Sequence, residues 1–268
     1  MKKKIGFIGI GNMGGALLTA CAKKVSGDEI LVCDFDNAKV KSAVESYGCV
    51  ASTAEEIARE AEYVFICVKP QGAEKTLTSI SAELSARRDR FALVSIMAGL
   101  EMKTVQKMAG GEYPVIRIMP NVAASVGEAM ILCAATPMTP AFMIKDFCDF
   151  MSEAGKIDVI PESMIDAASA VSGCGPAYVC LFVEALADGA VKCGVPRAKA
   201  IEYAEQMILG TAKLLLETGK HPAVVKDEVT SPGGTTIVGV HALEGNGFRA
   251  AAMDAVTAAY RRTLELKK

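Results

Sequence analysis

Ile5-Gly6-Phe7-Ile8-Gly9-Ile10-Gly11-Asn12-Met13-Gly14 is the stretch that decides the fold. A short apolar strand runs into a G-x-G-x-x-G turn, and residues 16–24 then read as a helix. In this arrangement Gly9 makes the tight turn, Gly11 leaves room for a pyrophosphate against the backbone, and Gly14 lets the helix lie close on the strand. The spacing alone is common, so its context carries the weight. It opens the chain, follows a strand, precedes a helix and leads to a second strand, Ile30–Cys33, that ends at Asp34, twenty residues beyond Gly14. A carboxylate at that place takes the 2′-hydroxyl of an adenosine ribose and repels a 2′-phosphate, which favours NADH over NADPH. Asp36 has the same option, or it caps the helix that starts near Asn37.

Working outward, residues 63–68, 91–97 and 115–119 are further apolar runs of strand length with helical segments between them. This βα alternation predicts a Rossmann-like, doubly wound parallel sheet. Ligands of such sheets lie beyond the carboxyl ends of the strands, which places the Lys69-Pro70-Gln71, Ala98-Gly99 and Pro120-Asn121 turns toward the cofactor. Lys69 also reads simply as a solvated turn lysine. The alternation stops after residues 156–161, and everything beyond reads as helix. The expected division is therefore an α/β dinucleotide-binding domain over 1–161 and an all-α domain over 162–268.

Composition narrows the class. The chain has 268 residues, 51% of them hydrophobic, and a net charge of −2 with no basic block, so nucleic acid and an anionic membrane surface are not expected partners. Nine cysteines without a C-x-x-C pair and two histidines give no metal-ligand spacing and no disulfide framework, which points to a reducing cytoplasm. The N-terminal Met1-Lys2-Lys3-Lys4 is followed by too short an apolar run for a targeting segment. The uncharged run 167–183 contains Ser, Gly and Pro and meets Glu184, and so makes a poor membrane span.

A helix starting at Pro176 and ending before Gly194 carries its charges, Glu184, Asp188 and Lys192, in one narrow stripe. Its other faces hold Tyr178, Val179, Leu181, Phe182, Val183, Leu186 and Val191, more apolar surface than a single core uses. A second subunit covers it, or the helical domain wraps it fully. Longer helices are expected over 197–217 and 248–266, with a short one over 222–229. Between them lies Ser231-Pro232-Gly233-Gly234-Thr235-Thr236, two glycines and two threonines entering an apolar helix. That is either an anion cradle for a carboxylate or phosphate, or an ordinary capped turn.

The fingerprint, Val68-Lys69-Pro70-Gln71, Met119-Pro120-Asn121, Ser172-Gly173-Cys174-Gly175-Pro176-Ala177-Tyr178 and the 231–236 loop occur in one order, and together they resemble the pyrroline-5-carboxylate reductase family over nearly the whole chain. The resemblance implies reduction of the cyclic imine 1-pyrroline-5-carboxylate to L-proline by NADPH or NADH, and a homodimer that assembles further into a ring of dimers. It implies cofactor contacts at Ile8, Gly9, Ile10, Gly11, Asn12 and Met13, at Asp34 and Asp36, at Cys67, Val68, Lys69 and Pro70, and at Ile96, Met97 and Ala98. It implies substrate contacts at Ser231, Gly233, Gly234, Thr235 and Thr236, with the Thr236 hydroxyl beside the imine, and no metal. The chain departs from the family at Cys174, where serine is usual, at Val122-Ala123, at Ala54 and at Asp34. The last two bear on the choice between NADPH and NADH.

The residues support the same chemistry without the family name. An imine acid needs an anion site beside one proton-bearing hydroxyl, and the loop offers that, with no His, Lys or Cys acid–base set around it. A β-hydroxyacid dehydrogenase would need a lysine shortly after its C-terminal glycine turn. At Gly173–Gly175 this chain continues with Pro176-Ala177-Tyr178-Val179 instead. A non-enzymatic nucleotide sensor would have no use for the anion loop.

Overall fold

The computed structural model describes residues 4–266. The first part of the chain alternates strands and helices: β1 (Ile5–Ile8), α1 (Asn12–Cys21), β2 (Ile30–Cys33), α2 (Asn37–Tyr47), β3 (Val50–Ala51), α3 (Ala54–Glu60), β4 (Tyr63–Ile66), α4 (Ala73–Ser79) and α5 (Ser81–Ala86). There follow β5 (Ala92–Ser95), α6 (Met102–Ala109), β6 (Val115–Met119), β7 (Ala129–Ala135), α7 (Ala141–Met151), β8 (Gly155–Val159) and α8 (Glu162–Ser172). The remainder is helical: α9 (Gly175–Lys192), α10 (Arg197–Thr218), α11 (Pro222–Val229), α12 (Thr235–Gly245) and α13 (Phe248–Leu266).

The eight strands form one sheet in the order β3-β2-β1-β4-β5-β6-β7-β8. Pairing is parallel throughout except between β6 and β7. That exception has a geometric cause. A parallel return needs a crossover of about a dozen residues or more, and the link from β6 to β7 is only the short 3₁₀ turn Val122–Val126 with its flanks. The chain therefore comes straight back. α7 then supplies a proper crossover, and β8 is again parallel to β7.

Alternation along the strands sorts the side chains into two cores, one on each face. Phe7, Val32, Phe65 and Val94 join Leu17 of α1 and Phe147 of α7. Ile8, Leu31, Val64, Ile66 and Leu93 join Ile57 of α3, Leu77 of α4 and Ile165 of α8. Phe7 and Phe65 stack at 4.5 Å between centroids, and Phe147 and Phe150 extend the aromatic cluster. Each such side chain, fully withdrawn from water, stabilises the fold by roughly 1.5–3 kcal/mol.

Two compact units emerge from the packing. One runs to Cys174 and takes back the chain from Ala259, and the other is Gly175–Ala258. Packing thus divides the chain later than the 161/162 division read from the sequence, because α8 lies on the sheet. It is held there by Arg117, a cation in the middle of β6 with no exposed surface. Arg117 Nη2 donates to Asp166 Oδ1 at 2.7 Å and Nη1 to Glu162 Oε1 at 3.3 Å. Glu162 Oε1 also accepts the Met102 amide at 2.7 Å, so it closes the N-terminus of α6. Asn121 Nδ2 donates to the Ser172 carbonyl at 2.9 Å and ties the other end of α8 to the strand end.

Candidate active site

The strand order reverses around β1 and β4, and the turns at their carboxyl ends meet. Gly9, at φ +94°, lies so close to Cys67 that a Cβ there would stand 3.0 Å from the Cys67 carbonyl. A Cβ on Gly14 would collide with the carbonyl of Gly9, so α1 sits as near its strand as a glycine permits. Gly11 is the opposite case: its Cβ position has no atom within 4 Å. As the N-cap of α1 it carries no side chain to satisfy the first turn, and the amides of that turn are left for an outside acceptor. A tight turn, an open glycine and an uncapped helix start fit a dinucleotide pyrophosphate.

Asp34 faces this turn. Its Oδ2 accepts the Ile10 amide at 2.7 Å and its Oδ1 the Asp36 amide at 2.9 Å. Each carboxylate oxygen keeps a further lone pair for a ribose hydroxyl. Asp36 resolves to its capping role: its Oδ1 accepts the Ala38 amide at 3.0 Å at the start of α2, and Lys39 Nζ lies 4.0 Å from its Oδ2. Several expected contact residues have little to offer by side chain. Ile8, Ile10 and Met97 are buried in the two cores, and the Ile10 amide is spent on Asp34. Asn12, Lys69, Pro70 and Ala98 are exposed, while Met13, Cys67, Val68 and Ile96 are half-buried around the turn. Burial pushes the Cys33 thiol up to about 11 and the Cys67 thiol higher still, so both stay protonated near neutral pH and neither is a nucleophile.

The 231–236 loop belongs to the helical unit. Gly233 sits at φ +69°, which a side chain would strain. Gly234 is the N-cap of α12, again without a side-chain cap, and Thr235 and Thr236 are the first two residues of that helix. The bland alternative, a threonine capping its own helix, is therefore not what forms. Among the described residues neither threonine hydroxyl has a hydrogen-bond partner, and both residues are exposed. One expected donor is corrected. The Gly234 amide is already given to the Ser231 carbonyl at 3.0 Å, closing the turn. The open first-turn amides are those of Thr235, Thr236 and Ile237. Counting from the cap rather than from the glycines would have found Ile237 in the sequence.

Much apolar surface of this unit is exposed. Only Ala187, Ala200, Ala204 and Val225 are buried in it, while Leu181 is 68% exposed and Leu216 78%. Phe182 of α9 packs on Phe248 of α13 at 5.6 Å. The Tyr178 hydroxyl lies 3.3 Å from the Ala255 carbonyl.

Two family models match the chain. One, described as pyrroline-5-carboxylate reductase dimerisation, covers residues 162–266, and the other, described as NADP oxidoreductase, coenzyme F420-dependent, covers residues 4–99. A pyrroline-5-carboxylate reductase of Arabidopsis thaliana is 41% identical over 272 residues, spanning 99% of this chain and 96% of the plant protein. The solved structure of Plasmodium falciparum pyrroline carboxylate reductase with NADP bound superposes with a TM-score of 0.87 at 31% identity, over 99% of this chain and 98% of its own. A pyrroline-5-carboxylate reductase structure from Coxiella burnetii gives a TM-score of 0.92 at 28% identity, with both chains covered in full.

Proposed function

We propose a function from one premise: the chain belongs to the pyrroline-5-carboxylate reductase family. It reduces the C=N bond of 1-pyrroline-5-carboxylate to L-proline, the last step of proline biosynthesis, at the expense of NAD(P)H. The nicotinamide, when bound, supplies the hydride to the imine carbon. The first-turn amides of Thr235, Thr236 and Ile237, backed by the dipole of α12, hold the substrate carboxylate. The Thr236 hydroxyl donates to the ring nitrogen, which ends the reaction as a secondary amine. A cyclic imine is basic enough to take its proton from water: the neutral ring nitrogen accepts from the Thr236 hydroxyl, the protonated one donates its N–H to the Thr236 Oγ, and no His or Lys is needed. Ser231 and Gly233 shape the loop. The fingerprint turn, Asp34 and the Cys67-Val68-Lys69-Pro70 and Ile96-Met97-Ala98 turns orient the cofactor. The observation that carries this reading is a helix start without a side-chain cap whose first turn holds a hydroxyl with no partner among the described residues.

The division between the two functions falls at residues 161 and 162, with α8 counted to the assembly half although it rests on the sheet. Assembly is a homodimer through the apolar faces of the helical unit, extended to a ring of dimers, a decamer, in the cytoplasm. A membrane reading competes on composition, since the run Glu162–Lys192 is long and apolar enough to cross a bilayer. Two observations favour subunit contact instead. The run breaks at Gly173-Cys174 into two helices, and the first of them is bolted to the sheet by Arg117.

The test is turnover of 1-pyrroline-5-carboxylate and of a 2-hydroxy acid, each with both cofactors and followed by nicotinamide absorbance. Imine-dependent oxidation of NAD(P)H with no oxidation of the hydroxy acid is the expected result. The reverse preference, or cofactor binding without any turnover, would overturn the proposal.

A further inference from the structure

Phe35 is the most exposed large apolar residue among the described residues, at 97%. Of the nine phenylalanines in the chain, eight stack on another ring or lie under an arginine or lysine. Phe35 does neither among the described residues. Its exposure is not the looseness of a floppy loop. Asp34 before it is pinned through both carboxylate oxygens, to Ile10 and to Asp36, and Asp36 after it is pinned as the cap of α2. A rigid turn thus holds a bare aromatic ring in water, a cost that is removed when something flat and apolar covers it.

The position says what that is. Asp34 is the carboxylate suited to a ribose 2′-hydroxyl, and adenine is attached to the neighbouring carbon of the same ribose. Phe35 is the next residue, one Cα step of about 3.8 Å away. We propose that Phe35 is the shelf on which the adenine of the cofactor stacks. Asp34-Phe35-Asp36 then forms an adenosine subsite that reads the base by its π-face and the ribose by an anchored carboxylate. The two flanking carboxylates repel a 2′-phosphate, and Lys39 lies 4.0 Å from Asp36. This inference rests on the cofactor reading above and adds the base contact to it.

The test is a set of binding titrations by quenching of nicotinamide fluorescence, with no substrate present. The probes are NADH and reduced nicotinamide mononucleotide, which lacks the adenosine. Phe35→Ala is expected to raise the Kd of NADH about ten- to hundred-fold and to leave the mononucleotide unchanged, and Phe35→Tyr to restore NADH binding. Equal NADH affinity in Phe35→Ala and the parent protein would overturn the shelf alone. Equal weakening of both probes would overturn it too, as would loss of the dimer in Phe35→Ala by sedimentation, since Phe35 would then serve the fold or a protein contact. Failure of the parent protein to bind NADH at any concentration would instead remove the cofactor reading beneath it.

Discussion

The sheet unit and the helical unit handle the same kind of side chain in opposite ways. In β1, β4 and β5 every residue is buried, and two separate cores close over the sheet from its two faces. In the helical unit four residues are buried, three of them alanines, and neither α12 nor α13 buries any. Val179, Leu181, Tyr203, Met207, Leu209 and Leu216 all stay exposed on a single chain. The first unit is finished as one chain. The second is half of a core, with its other half on another subunit, consistent with the dimerisation family that matches it.

The hardest attempt to break that contrast is Leu181→Asp. Leu181 touches little within its own chain, so a carboxylate there costs the monomer almost nothing and costs a packed interface several kcal/mol. Sedimentation should show monomer at concentrations where the parent protein is assembled, and imine reduction should vanish with the assembly. An active monomer would mean that the helical unit is complete alone. Phe182→Asp is a less clean probe, since it also removes the contact with Phe248.

Arg117→Met tests the other half of the comparison. It leaves Asp166 and Glu162 without their cation inside the sheet unit, and the loss should be about 3–5 kcal/mol in denaturant unfolding. Because the network is internal to one unit, this loss should not depend on protein concentration, whereas that of Leu181→Asp should. Adding Asp166→Leu to Arg117→Met should recover part of the stability by removing a buried carboxylate that has lost this cation. If the double variant is no better than the single one, the arginine matters for some reason other than pairing.

The same contrast explains what the sequence disclosed. β1 (Ile5-Gly6-Phe7-Ile8), β2 (Ile30-Leu31-Val32-Cys33) and β4 (Tyr63-Val64-Phe65-Ile66) are apolar from end to end, and burial on both faces leaves such runs no polar alternation to confuse the reading. β7 was not anticipated: Ala129-Met130-Ile131-Leu132-Cys133-Ala134-Ala135 is as good a buried helix as a strand by composition, and only the short preceding turn forces it back along β6. Helix ends in the second unit were legible because Pro and Gly punctuate them, as at Pro222 and Gly219. The anchoring of α8 on the sheet was not legible because it is a long-range ion pair. An arginine amid Val-Ile-Arg-Ile-Met, in a strand otherwise apolar, was the one local sign that an acidic partner had to come from elsewhere. The 231–236 loop was legible in its residues but not in which of its amides stay open, since the Gly234 amide closes the turn on the Ser231 carbonyl.

Thr236→Ala sharpens the comparison at the loop itself. The substitution removes one exposed hydroxyl and leaves the backbone amides of α12 in place, so kcat should fall about 10- to 10³-fold while KM moves less. Tyr178→Phe is the control. Its hydroxyl lies 3.3 Å from the Ala255 carbonyl, so losing it should loosen the α9–α13 contact and leave kcat within a few-fold. Gly234→Val should act on KM for the imine acid instead, because a Cβ there meets the Ser231 hydroxyl and disturbs the turn, with NADH titration unchanged. Full kcat in Thr236→Ala together with its loss in Tyr178→Phe would move the proton donor to α9.

The smallest expected effect lies in the finished unit and concerns which cofactor it prefers. The Asp34 carboxylate is held against the Ile10 and Asp36 amides and cannot turn away from a ligand that approaches the fingerprint turn. A 2′-phosphate there would bring negative charge to a fixed negative charge at partly screened range, a repulsion of about 1–2 kcal/mol, and no free arginine or lysine stands in the turn to offset it. NADH should therefore be used at least as well as NADPH. Asp34→Ser should shift the ratio of kcat/KM values toward NADPH by that same 1–2 kcal/mol, roughly 5- to 30-fold. Serine can replace only part of the two amide bonds, so some loss of affinity for both cofactors should accompany the shift. Assembly should be untouched, because the residue belongs wholly to the unit that needs no partner. A parent protein with NADPH far ahead in kcat/KM would show that the carboxylate serves the turn and not the ribose. A shift in preference coupled to dissociation of the dimer would show that the two units are less independent than their burial implies.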